Sequence, residues 1–139
     1  LMVFKIFLLN NNDQTLILYF LILICVLTDI GGYIFGKIFK GKKLTNISPN
    51  KTYSGLIGSY FMSITGVLIL FYDNFNLNEM LLITFIVSSI SQLGDLFISF
   101  LKRKAKIKDT GKLLPGHGGL LDRLDGIIFA IPFGLIIIN

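Results

Sequence analysis

Apolar residues fall in four long blocks joined by short polar stretches, running from about Thr15 to Phe35, Ser54 to Tyr72, Asn78 to Leu101 and Leu121 to Ile138. Each block is close to the ~20 residues a helix needs to cross about 30 Å of hydrocarbon. None shows the strict alternation of a barrel strand, and in lipid a segment must satisfy its own backbone groups, so helices are predicted. An earlier run, Leu1–Leu9, offers only about nine residues before the polar stretch Asn10–Gln14. It is too short to span and is followed by no small-residue cleavage site, so it is expected to be the tail of a truncated preceding helix. The expected fold is all-α: one membrane-embedded domain over residues 1–139, a polytopic transmembrane helical bundle of about four spanning helices plus a partial N-terminal one.

Composition agrees with that pattern. With 139 residues the chain suits one domain, and 53% hydrophobic residues gathered in blocks is membrane composition rather than a soluble core. The lone Cys25 lies in an apolar run, which rules out an intramolecular disulfide and leaves a packing role. Charge sets the orientation. Of the 13 basic residues, five lie in Lys37–Lys51 and six in Lys102–Lys112, whereas Asn10–Gln14 and Asp73–Glu79 carry none. Both basic joints are therefore expected on the cytoplasmic side, which two crossings between them allow. A net charge of +5 suits anionic headgroups and nucleotides equally.

Polar residues inside the blocks are ordered. Ser88, Ser91, Asp95 and Ser99, with Gln92 beside them, recur every three or four residues and make one helical stripe. Such a stripe must face other helices or a watery hollow. The serines suit packing, but a carboxylate at Asp95 near a basic joint calls for a cation. In the first block Asp29 lies at comparable depth, open to a structural bond or a place in the site, and Gly32 and Gly36 permit close helix contact. Ahead of the second helix, Ser48, Pro49, Lys51, Thr52 and Ser54 combine a turn, hydroxyls and a cation at a helix start, which suits either simple capping or phosphate.

The richest stretch is Gly94–Gly126. Asp95 stands at its start and Asp122 and Asp125 at its end, with Lys102, Arg103, Lys104, Lys106, Lys108 and Lys112, a glycine turn and the single histidine between. Asp122 and Asp125 are three apart on one helix and share a face. With Asp95 they form a candidate set of metal ligands for a hard cation such as Mg²⁺, with room for a second cation. Zinc is excluded by the lack of a Cys/His cluster. The basic residues would neutralise phosphates, Gly116, Gly118 and Gly119 let the backbone approach them, and His117 either contacts phosphate or shapes the turn. Acidic ligands beside a basic loop point to phosphoryl or nucleotidyl transfer.

The ordered run Ser99-Phe100-Leu101-Lys102-Arg103, Lys108-Asp109, Leu114-Pro115-Gly116-His117-Gly118-Gly119 and Leu121-Asp122-Arg123-Leu124-Asp125 closely resembles the signature of the phosphatidate cytidylyltransferases, or CDP-diacylglycerol synthases. Asp29-Ile30-Gly31-Gly32-Tyr33 and Ser48–Gly55 resemble that family's other motifs, so the likeness runs from about Leu21 onward. The family usually carries lysine where Asn50 stands, tryptophan and glutamate where Tyr53 and Ser54 stand, and often glutamate at Ile98. At the second helix the contact would then fall to Lys51 and Thr52. The chain is about half the family's usual length and is expected to be its C-terminal catalytic part.

The resemblance implies an enzyme that joins CTP to phosphatidic acid, giving CDP-diacylglycerol and pyrophosphate. It implies Asp95 and Asp122 as first Mg²⁺ ligands, with Asp125 and Asp109 as further candidates. Lys102, Arg103, Lys108 and Arg123 would hold triphosphate or lipid phosphate, and Ser48, Lys51 and Thr52 would close on the nucleotide. Expected partners are CTP, phosphatidic acid and the bilayer, with a homodimer left open and nucleic acid excluded. The expected location is the inner membrane with the site facing the cytoplasm. The alternatives are another CTP-using membrane enzyme, such as a polyprenol kinase or an archaeal-lipid cytidylyltransferase, and a non-catalytic helper or ion-conducting bundle.

Overall fold

The computed structural model describes residues 11–45, 48, 51–71, 76–106 and 121–138, with side chains omitted at 11–14 and 121–125. The expected helix tail at Leu1–Leu9 lies outside the described residues. Four helices follow one another: α1 (Asn11–Phe39), α2 (Tyr53–Phe71), α3 (Leu77–Lys104) and α4 (Leu121–Ile138). The first three are long and apolar enough to cross a membrane, and α4 contributes a shorter apolar stretch, Gly126–Ile138. The chain is thus a multi-pass, all-α membrane protein. Hydropathy placed the ends of α1 at 15 and 35, inside the observed 11 and 39. Polar side chains continue a helix beyond the hydrocarbon, because propensity, not depth, decides where it stops. Both α1 and α3 are followed by a lysine in the left-handed region, Lys40 at φ 43° and Lys106 at φ 57°, a conformation common just past helix ends.

The helices alternate in direction. At one end lies an apolar core made by Ile17, Phe20, Leu21 and Ile24 of α1, Val67 of α2, Met80, Ile83 and Val87 of α3 and Ala130 and Ile138 of α4. Phe20 and Phe71 meet edge-to-face at 5.3 Å across this end. The other end gathers the C-termini of α1 and α3 and the N-termini of α2 and α4, and therefore both basic joints. Outward faces are apolar, with Ile57 68% and Ile69 80% exposed, as lipid contact requires.

Between the helices lie small and hydroxyl-bearing residues. α1 and α2 pack along their length through glycines. A Cβ on Gly31 would stand 2.6 Å from the Gly58 carbonyl oxygen, one on Gly55 would stand 2.7 Å from that of Gly32, and Gly36 faces the Gly55 Cα at 3.7 Å. The expected close contact at Gly32 and Gly36 is present and extends to Gly31 and Gly58. Such backbone approach is the means by which helices associate where no hydrophobic drive separates protein from lipid. Thr28, Ser59, Ser63, Thr84, Ser88 and Ser91 are buried. Thr28 donates to Ser88 Oγ at 2.9 Å, tying α1 to α3 at mid-depth. Ser59 and Thr84 return their protons to the Gly55 and Met80 carbonyls of their own helices.

A candidate active site at the basic end of the bundle

The loop from α1 to α2 folds back on itself. Lys43 and Thr52 form an antiparallel bridge, with the Leu44 N–H donating to the Lys51 carbonyl at 2.7 Å and the Tyr53 N–H to that of Lys42 at 3.1 Å. Thr52 then caps α2, its Oγ1 accepting from the Gly55 N–H at 3.1 Å, so the capping role is realised here. Ser54 Oγ accepts from the Gly41 N–H at 3.3 Å and fastens the loop again. The result is a fixed position for Lys51 and Ser48 over the ends of the helices.

Beneath this loop opens a cavity of about 460 Å³. The first three helices supply residues at helical spacing: Thr28, Asp29, Gly32 and Tyr33 from α1, Gly55, Leu56 and Ser59 from α2, and Gln92, Asp95, Ser99 and Lys102 from α3, with Leu44, Ser48, Lys51 and Thr52 from the loop. Lys51 Nζ donates to Asp95 Oδ2 at 3.1 Å, an ion pair between residues 44 apart in sequence. Its partners are 30% and 23% exposed, so water still reaches them. Gln92 donates to Ser88 Oγ at 3.4 Å and completes a chain with Thr28 under the cavity. Tyr33 lies one turn before Lys37, whose ammonium reaches its hydroxyl at 3.4 Å and its ring centroid at 5.5 Å.

α4 reaches the cavity's edge. A Cβ on Gly126 would stand 2.5 Å from Ser91 Oγ and 2.8 Å from Asp95 Oδ1, so the missing side chain is what lets this helix lie against the carboxylate. Asp125 immediately precedes Gly126, and Asp122 stands one turn ahead of it in the same helix.

Of the residues singled out by sequence, the structure brings together Ser48, Lys51, Thr52, Asp95 and Lys102, along with Asp29 and Ser99. Arg103 departs from the grouping: it is exposed on α3 and does not line the cavity. It follows Lys102 by a single residue, and successive helix positions face directions about 100° apart. Lys108, Asp109, Gly116, His117, Gly118 and Gly119, and the side chains of Asp122, Arg123 and Asp125, lie outside the described residues. Ser88 and Ser91 are wholly buried, as packing serines are. Sequence reasoning passed over Tyr33 and Gln92 as site residues, though each follows a noted polar residue, Asp29 or Ser88, by one turn.

Chemically the cavity presents two carboxylates, two ammonium groups and several hydroxyls to one volume. Oxygen donors of this kind suit a hard cation, which needs only one or two carboxylates from protein, and the ammonium groups suit phosphate. Among the described residues no three carboxylate, histidine or cysteine side chains converge on a point.

A multi-pass helical membrane protein with a phosphate-suited cavity at its basic end is the class that fold and geometry define. The cytidylyltransferase family matches over residues 1–139, and the chain belongs to that family. It is 44% identical over 133 residues to a phosphatidate cytidylyltransferase of Staphylococcus haemolyticus, an alignment covering 93% of this chain and 51% of the relative. Against that of Staphylococcus aureus the identity is 48% over 114 residues, 79% of this chain and 44% of the relative. Against that of Rickettsia felis it is 44% over 135 residues, 88% of this chain and 58% of the relative. The chain spans about half the length of the curated relatives it matches.

Proposed function

We propose that this chain carries the nucleotide- and lipid-phosphate-binding site of a CTP:phosphatidate cytidylyltransferase. One observation carries the reading: Lys51, Asp95 and Lys102, drawn from two separate basic joints and their helices, line a single cavity at the end where both joints meet. The resemblance of the Lys102–Asp125 run to the family signature and the identity to the relatives support it.

In the proposed reaction an ionised oxygen of phosphatidate attacks the α-phosphorus of CTP. The new P–O bond forms as the bond to the bridging oxygen of pyrophosphate breaks, and that oxygen leaves with the electron pair. No net proton transfer is needed, so no general base is assigned. Both reactants are polyanions, and the site's task is to lower their repulsion where charge develops. Lys51 and Lys102 would hold phosphate oxygens, and Ser48 would donate to the nucleotide from the folded-back loop. Thr52, whose oxygen caps α2, would act chiefly by holding that loop.

Asp95 and Asp29 fit a Mg²⁺ ion by donor chemistry, and Asp122, Asp125 and Asp109 remain candidates from the sequence. When bound, such an ion supplies charge neutralisation on the triphosphate, and a second cation is compatible with two-metal clamping. Arg103, Lys108, Arg123, His117 and the glycines 116, 118 and 119 stay in the proposal as phosphate contacts on the strength of the resemblance alone. The positive joints favour a cytoplasmic position for this end, where CTP is available, and the membrane is taken to be the inner one. A homodimer stays part of the proposal, and the mass of the detergent-solubilised protein would test it.

The test is incorporation of radiolabelled CTP into lipid extract by membranes holding the protein, with phosphatidate and with or without Mg²⁺. Turnover should require both, and Asp95→Asn should abolish it. Near-normal turnover by that variant would remove Asp95 from the site, and incorporation into a polyprenol instead of phosphatidate would change the acceptor.

A further inference from the structure

A second hollow of about 180 Å³ lies between α2 and α3 and shares Leu44, Lys51, Leu56 and Gln92 with the polar cavity. The rest of its wall includes Tyr60, Ser89, Leu93 and Leu96. Its two hydroxyls are occupied. Ser89 Oγ gives its one proton to the Phe85 carbonyl at 2.7 Å, so the Tyr60 hydroxyl must donate to Ser89 Oγ across 2.9 Å. The Tyr60 ring is stacked on Phe85 with centroids 4.9 Å apart, which holds the wall rigid. With its hydroxyls bonded to one another and the Gln92 amide donating to Ser88 Oγ, the hollow offers mainly carbon, with one ammonium and that carboxamide at the junction with the neighbouring cavity. Leu93 is 64% exposed on the lipid-facing surface, so the hollow also borders the bilayer.

We propose that this hollow seats the ester end of an acyl chain of the phosphate-bearing lipid substrate, with Tyr60 and Leu96 as specificity-determining residues. The two volumes are continuous through the wall residues they share. A polar volume, a cation and an apolar volume follow in that order, which is the order of phosphate, glycerol and hydrocarbon in an anionic lipid. The volume is well under the roughly 300–1,000 Å³ of sites that enclose a whole small ligand, so it takes a segment only. Beyond the exposed Leu93 the described residues add no further wall, and the acyl chain would run on into the membrane. Selectivity should therefore act on branching or unsaturation next to the ester and be indifferent to overall length.

This inference rests on the proposed function, and its test separates the two. The full wild-type protein in vesicles is irradiated with a phosphatidate carrying a diazirine beside the ester, and labelled peptides are mapped by mass spectrometry. Label is expected on the peptides bearing Tyr60 and Leu93–Leu96, displaced by unlabelled phosphatidate but not by the diacylglycerol with the same chains. A diazirine at the methyl end should label them far less. In turnover assays Leu96→Trp, which fills the hollow, should raise KM for phosphatidate about tenfold and leave KM for CTP within about twofold.

Label absent from α2 and α3, label that phosphatidate does not displace, or an equal rise in both KM values would overturn the subsite. Because labelling uses the wild-type chain, a variant that fails to fold does not shield the idea. Displaceable label without CTP turnover would sustain the subsite and sink the proposed reaction. Turnover with label elsewhere would do the reverse.

Discussion

Replacing Lys51 by methionine removes the ammonium 3.1 Å from Asp95 while keeping the stem that lines the cavity. At that separation and an effective dielectric of about 20, the gross Coulomb attraction is about 5 kcal/mol. Desolvation and side-chain ordering offset much of it. Exposed pairs retain roughly 0.2–1 kcal/mol, whereas stripping one partner from a buried pair costs about 3–5 kcal/mol. With partners 30% and 23% exposed, this pair falls between, and a coupling of about 1–3 kcal/mol is expected. The measurement is a double-mutant cycle of Lys51→Met and Asp95→Asn, each variant unfolded by SDS titration in mixed micelles. Lys51→Met alone should be the more damaging single change, because it leaves a carboxylate facing a partly dry cavity, whereas Asn at 95 keeps an acceptor. Repeating the cycle with Mg²⁺ and CTP should give a smaller coupling, since Asp95 would then serve the cation and Lys51 the phosphates. A coupling below about 0.3 kcal/mol in the free protein would refute the pair as an organising contact of the site.

Lys102→Ala should cut turnover at least tenfold while Arg103→Ala stays within about threefold, because only Lys102 lines the cavity; equal losses in a CTP assay would put Arg103 back among the phosphate contacts. Gly31→Ala should cost about 1–3 kcal/mol by overpacking, since its Cβ meets a carbonyl oxygen at 2.6 Å that cannot swing aside; an unchanged SDS midpoint would contradict the tight α1–α2 seam. Thr52→Ala should lose about 1 kcal/mol of cap and Thr52→Ser almost none, measured in the same titration; a Ser variant as weak as Ala would mean the methyl, not the hydroxyl, matters.

The helices were legible because each is a long apolar block without the alternation of a barrel strand, which leaves the backbone in lipid no other arrangement. Their ends were less so: Asn11–Gln14 and Gly36–Phe39 continue α1 although hydropathy fades there. The site was partly legible. Asp95 and Asp29 stand out because charge is costly among apolar residues, and Thr52 ahead of α2 advertises a cap. Which cation meets Asp95 was not readable, since Lys51 reaches it from 44 residues away through the bridge at Lys43 and Thr52. Nor could Lys102 be told from Arg103, because the rotational phase of α3 against its neighbours is set by packing. Gly126 gave no sign of its closeness to Asp95, which depends on how α4 leans on α3.

The Thr28–Ser88 bond, with Gln92 above it and Phe20, Leu21, Ile24 and Val87 fully buried toward the far end, makes the cavity a blind well. Past Ser88 the next buried hydroxyl of α3, Thr84, is turned to the Met80 carbonyl of its own helix at 2.7 Å. A protein that, on the proposed function, admits highly charged reagents into a bilayer must keep the two aqueous compartments insulated from each other. On the proposed function, the pair of hydroxyls and the plug of hydrocarbon would seal the shaft, so that protons and ions drawn in with the reagents would leave by the side they entered.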